Sequence, residues 1–305
     1  MTASDGVVSF KGVPFAEPPG QIPFPGDAAP LGVKPGEDCL YLNMWAPQKP
    51  AAAKLPVMVW IHGGGFVNGG SSPPVYDGSA FAKSDVVLVS MNYRIARFGF
   101  FAHPALSAEQ GAKPTANFGL LDQIAALEWV KRNVAAFGGD PSNVTVFGES
   151  AGGMSVNALL TAPLASGLLH KAIIQSGGGR PGMPGGRKMG GGPGSAESTG
   201  VDYARQIGIE GEGADALAKL RALSADELAK GLNMASMGNV SYVGGPVKGG
   251  LKADRARALL NPGNSTNVGE VGFRVGGDQM MAEPARKIAR TLSAGGRPTE
   301  PAVLM

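Results

Sequence analysis

The sequence predicts an α/β fold with a mostly parallel central sheet flanked by helices. Four short, nearly continuous apolar runs have the character of strands that are buried on both faces, as in a parallel sheet. They are rich in valine and isoleucine and lie at residues 55–61, 86–92, 144–147 and 172–175. A helical pattern lies between the second and third runs, and another between the third and fourth. This strand–helix–strand alternation predicts parallel pairing with right-handed crossovers.

Periodicity and turn residues assign the other elements near the predicted sheet. Apolar residues at three- and four-residue spacing predict a helix from Leu120 to about Phe137, which Gly138 and Gly139 end. Residues 140–143 then form a predicted turn into the next strand. Another helix is expected to follow Ser150 as far as about Leu160. Short strands are also predicted nearer the N-terminus, at residues 7–10 and 40–45.

The chain has 305 residues, enough for one large domain or two small ones. We predict a single domain over residues 1–305, with its sheet core at about 37–178. Residues 177–194 contain ten glycines and three prolines, which predicts a flexible loop. The remainder, 195–305, is predicted to be helical, and a capping box begins at Ser224. Its helices are expected at about 196–206, 213–222, 224–232 and 278–294, the last interrupted by Pro284.

Composition excludes several classes of function. A net charge of +3 without a run of five basic residues argues against nucleic-acid binding. No apolar stretch approaches 18 residues, which argues against a membrane span, and the first fifteen residues do not resemble a signal peptide. A cytoplasmic protein is therefore expected. Cys39 is the only cysteine, which excludes an internal disulfide and a thiolate metal site, and no cofactor is expected.

The pentapeptide G-E-S-A-G at residues 148–152 lies between a predicted strand and a predicted helix. That context is typical of a nucleophile elbow, in which a serine is held on a strained turn at the end of a parallel strand. Glycines flank the serine because side chains there would collide with the neighbouring strand and helix. Ser150 is the candidate nucleophile. The alternatives are a glycine-rich turn with a surface serine, or a nucleotide-binding turn, although no G-x-G-x-x-G motif follows the first sheet strand with an acidic partner at the proper distance.

The sequence H-G-G-G at residues 62–65 directly follows the first predicted sheet strand and is expected at the same sheet edge as the elbow. Glycine amides at such a place can approach a substrate oxygen closely. The N–H groups of Gly64, Gly65 and Ala151 are therefore candidates for an oxyanion hole, in which each donor contributes roughly 3–4 kcal/mol. A plain turn after a strand is the alternative interpretation.

Several sequence blocks together resemble the type-B carboxylesterase family, which includes the para-nitrobenzyl esterases and the cholinesterases. The blocks are F-K-G-V-P-F-A at 10–16, E-D-C-L-Y-L-N at 37–43, H-G-G-G-F at 62–66 and F-G-E-S-A-G-G at 147–153. The resemblance is dense over about 37–178. It implies the α/β-hydrolase fold, a small-molecule ester substrate, Ser150 as the acylated nucleophile and Gly64, Gly65 and Ala151 as oxyanion donors.

The general base expected beside such a serine is not evident. In this fold the triad runs Ser, then Asp or Glu, then His along the chain. The chain has three histidines, His62, His103 and His170, and only the last follows Ser150. His170 is expected at the N-terminal end of its strand, roughly 15 Å from the edge where ligands bind. His103, brought in by its loop, stays a candidate base.

Relative to the family, the chain is shortened and lacks the usual C-terminal part that carries the catalytic histidine. The sheet is therefore expected to be incomplete at its C-terminal edge, with a homo-oligomer partner or the terminal helices as the alternatives that would cover it. Glu270 and Asp278 are the nearest late carboxylates and the remaining candidates for the catalytic acid. Two functions stay open: a carboxylic ester hydrolase with weak turnover, or a truncated, non-catalytic relative that binds its ligand without hydrolysing it.

Overall fold

A seven-stranded mixed sheet forms the centre of the molecule. The computed structural model describes residues 1–16, 36–49, 51–113, 115–177, 187–190, 192–232 and 247–248. Its sheet strands are β1 (Thr2–Ser4), β2 (Val7–Pro14), β3 (Tyr41–Pro47), β4 (Leu55–Ile61), β5 (Val87–Met91), β6 (Gly139–Glu149) and β7 (Lys171–Gln175). They lie in the order β1-β2-β3-β5-β4-β6-β7. The predicted α/β class is confirmed.

The pairing divides the sheet into two parts. Strands β5, β4, β6 and β7 are parallel neighbours, as their continuous apolar runs predict. Strands β1, β2 and β3 pair antiparallel and join the parallel part through β5. The predicted turn at 140–143 is instead a bulge inside β6, where the register to β4 shifts. There the Asp140 carboxylate accepts hydrogen bonds from the Ser142 backbone N–H and hydroxyl at 2.8 and 2.6 Å.

Eight α-helices are found in the described residues. They are α1 (Ser79–Lys83), α2 (Ala96–Phe100), α3 (Pro104–Gln110), α4 (Phe118–Asn133), α5 (Ala151–Thr161), α6 (Ala196–Gln206), α7 (Ala214–Arg221) and α8 (Ala225–Ala229). Short 3-10 turns lie at Ala51–Ala53, Pro74–Tyr76, Val134–Phe137 and Pro163–Ala165. The 3-10 turn that follows α4 completes the helix predicted to Phe137. The capping box of α8 is present, formed by Ser224 and Glu227.

Helices cover both faces of the sheet. Alternate residues of a strand point to opposite faces, and β4 shows this clearly. Its Val57, Val59 and Ile61 join the large core under α4 and α5. Its Met58 and Trp60 instead pack with the smaller cluster that contains the α1 residue Ala82. Burial on both faces explains why this strand is apolar throughout.

Register places the candidate site at one edge of the sheet. Ile61 at the end of β4 is aligned with Gly148 of β6 and with Met91 of β5. Glu149 is aligned with Gln175 at the end of β7. The segments that follow β4, β5 and β6 therefore emerge together, at the carboxyl ends of the parallel strands, where ligands bind in open α/β sheets. Among the described residues, β7 is the last strand on that side.

The region predicted as a loop at 177–194 contains a two-residue strand, β8 (Arg187–Lys188), which pairs parallel with β9 (Val247–Lys248). This ladder pairs two residues with two, so composition gave no sign of it. The helix predicted at 278–294, together with Glu270 and Asp278, lies outside the described residues. No helix within the described part of the chain is long and apolar enough to cross a membrane.

Helices α6 to α8 pack on the segment that follows β5. The Arg97 guanidinium lies 4.1 Å from the centre of the Tyr203 ring and donates hydrogen bonds to the carbonyls of Leu228 and Lys230. Gly200 brings α6 against the chain at Ala102, since a Cβ on Gly200 would lie 1.7 Å from the Ala102 carbonyl oxygen. A small cluster that includes Tyr203 and Leu220 fills the contact.

Candidate active site

Ser150 sits on a strained turn between β6 and α5. Its φ of 53° and ψ of −116° fall where non-glycine residues are uncommon. Such conformations cost about 1–3 kcal/mol and persist when surrounding contacts fix them. Here the Ser150 N–H donates to the Gln175 carbonyl at 2.9 Å, and the Ser150 carbonyl accepts from the Met154 N–H at 2.9 Å. The backbone on both sides of the serine is therefore held, by β7 and by α5.

The glycines around Ser150 are required by close backbone contacts. A Cβ on Gly148 would lie 2.6 Å from the carbonyl carbon of Gly152. A Cβ on Gly152 would lie only 2.0 Å from the Ile61 carbonyl oxygen, and one on Gly153 would lie 2.7 Å from the Gln175 carbonyl oxygen. Helix α5 thus begins in contact with the ends of β4 and β7. The crowding predicted for the elbow is present.

Residues 62–66 take an unusual backbone path after β4, and we call them the oxyanion loop because they contain two of the three candidate oxyanion donors, Gly64 and Gly65. Gly64, Gly65 and Phe66 have successive φ values of 97°, 62° and 61°. The turn is closed by the Gly64 carbonyl, which accepts from the N–H groups of Val67 and Asn68 at 3.0 and 3.1 Å. Two of the three positive φ values fall on glycine, which adopts them without a steric penalty.

The oxyanion loop and the elbow are in contact. A Cβ built on Gly63 would lie 3.3 Å from the Ser150 Cβ and 2.9 Å from the Glu149 carbonyl oxygen. Within the described residues, the N–H groups of Gly64, Gly65 and Ala151 donate to no backbone acceptor. Ala151 is the first residue of α5, where helical N–H groups have no partner in the helix. Amides without a backbone acceptor in the described residues thus lie on both of the segments that meet at the serine.

Glu149 places a carboxylate beside the same loop. Its Oε2 would lie 2.9 Å from a Cβ on Gly63, so it occupies the space that the glycine leaves open. Partial burial raises the pKa of Glu149. The side chain adds an acidic group next to the nucleophile, and the family resemblance assigns this position no place in the triad.

The three histidines have local partners in the structure. His170 Nδ1 accepts from the Val144 N–H at 3.2 Å, which puts the ring beside the middle of β6, whereas Ser150 follows the end of that strand. His103 is fully buried and caps α3, its Nδ1 accepting from the Ala105 N–H at 3.3 Å. Within the described residues, neither ring is hydrogen-bonded to Ser150. The structure therefore does not bring the candidate base His103 to the serine.

His62 lies closest to the site in sequence, but its ring is turned into the protein. The imidazole is fully buried, and Nδ1 lies 2.9 Å from the Gly63 carbonyl oxygen. Because that oxygen can only accept, the neutral ring carries its proton on Nδ1. Burial lowers the pKa of His62 to about 4. The ring is neutral at pH 7 and bonded to the oxyanion loop itself.

The lowered pKa of His62 predicts acid destabilisation. The unfolded ring binds a proton below its usual pKa of 6.5, whereas the folded ring does so only near pH 4. Stability is therefore lost as pH falls through this window, by about 3 kcal/mol from this residue. Urea unfolding at pH 7.0 and 4.5 measures the loss. In His62→Asn the decrease in unfolding free energy between these pH values should be smaller by about 2 kcal/mol, because the full loss is reached only below pH 4. An equal decrease in both proteins would contradict the assignment.

Other chemistry is limited in the described residues. Cys39 is buried, and burial raises the pKa of its thiol to about 12, so it is not a thiolate at neutral pH. No group of three or more His, Cys, Asp or Glu side chains in the described residues is arranged to hold a metal ion. Ser150 is the nucleophile candidate that the geometry favours.

One contributor to the site was missed by sequence reasoning. The hydroxyl of Tyr93, on the segment after β5, donates to the His62 carbonyl at 2.9 Å. The available signal was its position, because Tyr93 follows β5 by two residues and parallel strands end at a common edge.

Comparison with known proteins agrees with the fold. A sequence model described as the carboxylesterase family matches residues 21–265. The para-nitrobenzyl esterase of Bacillus subtilis (strain 168) is 43% identical over 260 residues, which are 75% of this chain and 50% of that protein. The fumonisin B1 esterase of Sphingopyxis macrogoltabida is 44% identical over 197 residues, 56% of this chain and 36% of that protein.

A solved structure of a PNB esterase superposes with a TM-score of 0.69 at 37% identity, covering 85% of this chain and 58% of the esterase. This likeness confirms the α/β-hydrolase fold. The chain spans half or less of the length of the two relatives named above, as the shortening inferred from the sequence predicts. The family match extends over well more than half of the residues, and the chain belongs to the carboxylesterase family.

Proposed function

We propose that this chain hydrolyses small or medium uncharged carboxylic esters through an acyl intermediate on Ser150. The observation that carries the proposal is the contact between the elbow and the oxyanion loop, with Ser150 at a φ of 53° beside amides that have no backbone acceptor in the described residues. A strained serine facing unpaired donors is the arrangement that acyl transfer needs.

In the first step, Ser150 Oγ attacks the ester carbonyl carbon and its proton passes to a base or to water. The carbonyl oxygen becomes an oxyanion, which accepts hydrogen bonds from Gly64, Gly65 and Ala151. Collapse breaks the bond to the leaving oxygen, which takes up a proton from the same base or from water to become the alcohol, and leaves the acyl group on Ser150. Water then attacks the acyl group and releases the carboxylic acid and the free serine hydroxyl. Each oxyanion donor contributes roughly 3–4 kcal/mol to the transition state.

Turnover is expected to be weak, since no imidazole of the described residues is bonded to Ser150. A serine hydroxyl without a base is a poor nucleophile at neutral pH. When a triad member is absent, the oxyanion hole and substrate binding still accelerate the hydrolysis about 10³–10⁴-fold over the reaction in water. A histidine from another chain, such as a second copy seated against β7, would raise the rate above this level.

The same observation favours a second candidate function, that of a binding protein which retains the pocket without rapid hydrolysis. The two differ in what happens to Ser150. The esterase forms and releases an acyl group, whereas a pure binding protein takes up an ester without covalent change.

The test uses a short-chain para-nitrophenyl ester and a fluorophosphonate probe. We expect slow release of nitrophenol and probe labelling in the wild type, both lost in Ser150→Ala. Ser142→Ala is the matched control, because Ser142 lies in the bulge at the other end of β6. Mass spectrometry after ester treatment should find the acyl group on Ser150. If wild type and Ser150→Ala behave alike in both assays, the esterase proposal fails.

A further inference from the structure

The segment after β5, residues 92–96, holds the oxyanion loop and its continuation at three points. The Asn92 Oδ1 accepts from the Ser71 N–H at 2.8 Å. The Tyr93 hydroxyl donates to the His62 carbonyl at 2.9 Å. The Ala96 N–H donates to the Phe66 carbonyl at 2.6 Å. Both ends of the oxyanion loop are therefore attached to one neighbouring segment.

Tyr93 and His62 form the central contact of this attachment. Both side chains are fully buried, and their rings stack with centroids 4.4 Å apart and planes inclined by 21°. Gly69, at a φ of 112°, leaves the space that the imidazole needs, since a Cβ there would lie 2.6 Å from His62 Nδ1. The imidazole is thus fixed between the tyrosine ring and the backbone of Gly69.

Peptide planarity converts this contact into control of an oxyanion donor. A trans peptide unit holds its C=O and the following N–H in one plane, pointing in opposite directions. The bond from His62 Nδ1 to the Gly63 carbonyl oxygen therefore sets the direction of the Gly64 N–H. In the same way, the bonds from Val67 and Asn68 to the Gly64 carbonyl set the direction of the Gly65 N–H.

We propose that Tyr93 is a positioning residue for ester hydrolysis, which acts through His62 to aim the Gly64 N–H at the oxyanion. The inference rests on the proposed function of Ser150 and the oxyanion hole. Tyr93 touches neither the substrate nor the nucleophile in this scheme. Its hydroxyl fixes the His62 peptide, its ring fixes the imidazole, and the imidazole orients the donor.

The energetic need for such support comes from the loop itself. Phe66 has a bulky side chain at a φ of 61°, a strained conformation that relaxes when its supports are removed. Oxyanion donors act only when they lie about 2.7–3.1 Å from the developing charge. A small rotation of the Gly63–Gly64 peptide would therefore weaken transition-state binding more than substrate binding.

The test compares Tyr93→Phe, which keeps the ring and removes the hydroxyl, with Tyr203→Phe. Tyr203 is also buried, and its hydroxyl has no hydrogen-bond partner among the described residues. We expect Tyr93→Phe to lower the maximal rate of fluorophosphonate labelling of Ser150 about tenfold, since a misaimed donor costs less than the 10²–10³ of a missing one. The probe concentration that gives half-maximal rate should stay near that of wild type, and Tyr203→Phe should label like wild type.

Amide hydrogen exchange provides a readout that does not depend on catalysis. The N–H groups of Val67 and Asn68 report whether the loop stays closed on the Gly64 carbonyl. Exchange in a peptide covering residues 62–70 should be faster in Tyr93→Phe than in wild type, and unchanged in Tyr203→Phe.

A further pair of variants, His62→Asn and His62→Leu, tests the same role if Tyr93→Phe does not fold. An asparagine amide at position 62 can still donate to the Gly63 carbonyl, whereas leucine cannot. Ser150 should therefore be labelled faster in His62→Asn than in His62→Leu.

The outcomes separate this inference from the proposed function. If wild type and Ser150→Ala label alike, the esterase proposal fails, while exchange at 62–70 still decides whether Tyr93 holds the loop. If labelling depends on Ser150, but Tyr93→Phe equals wild type in labelling rate and exchange, the positioning role is wrong. Equal labelling of His62→Asn and His62→Leu would also overturn it.

Discussion

Gly152→Ala is expected to destabilise the protein by more than about 3 kcal/mol, at or beyond the upper end of the usual cost of overpacking. The new methyl group would lie 2.0 Å from the Ile61 carbonyl oxygen and 2.9 Å from that of His62. Both atoms belong to backbone at the end of β4, so no side chain can rotate away. Relief requires α5 to move off the sheet, which also displaces the Ala151 N–H. Urea unfolding measures the loss, and Ser150 labelling should fall with it.

Gly36→Ala is the matched control for this substitution. A Cβ on Gly36 meets no atom within 4 Å, and its φ is not in the left-handed region, so the change should alter stability by less than about 1 kcal/mol. If Gly36→Ala is as stable as wild type, a large loss of stability in Gly152→Ala is due to the contacts at Gly152 and not to the replacement of a glycine by alanine in general. A Gly152→Ala protein with the wild-type unfolding midpoint would mean that α5 does not contact β4 as described.

The parallel half of the sheet could be predicted because its strands contain short, nearly continuous apolar runs. Strand β4 begins and ends at the predicted residues. Strand β5 is one residue shorter than its predicted run at each end, and β7 begins one residue earlier than predicted. Strand β1 was missed, since Thr2–Ser4 has no apolar pattern and exists only through pairing with β2. Helices α1, α2 and α3 have five to seven residues, too few for periodicity to appear.

The site followed a similar division. Ser150 and the oxyanion loop could be placed together because strand, turn and helix signals are local, and parallel strands end at a common edge. The roles of Tyr93 and Gly69 could not be predicted. The first depends on the Tyr93 hydroxyl meeting the His62 carbonyl, 31 residues away in the sequence. The second depends on the space that Gly69 leaves beside the His62 imidazole. Such contacts arise only after the segments that follow β4 and β5 have packed.

Asp122→Ala is expected to destabilise the protein by about 3–5 kcal/mol, the cost of removing one partner of a buried ion pair. The Asp122 side chain is 4% exposed and that of Arg94 is 20% exposed. The carboxylate accepts from the Arg94 backbone N–H, Nε and Nη2 at 2.9, 2.8 and 2.7 Å. Without it, a cation and a backbone donor lose their partner together. Chemical denaturation at neutral pH measures the effect.

Asp202→Ala is the matched control, since Asp202 lies 3.7 Å from Arg205 in an exposed helical pair that contributes at most about 1 kcal/mol. The double variant Arg94→Leu with Asp122→Leu should recover only part of the loss, because apolar side chains replace both charges while the backbone N–H of residue 94 still lacks its acceptor. Asp122 also ties α4 to the residue after Tyr93, so Asp122→Ala should speed exchange at residues 62–70. Equal stability of Asp122→Ala and Asp202→Ala would contradict the predicted loss. Unchanged exchange at residues 62–70 in Asp122→Ala would contradict the coupling, because the oxyanion loop would then be held without the anchor that α4 provides.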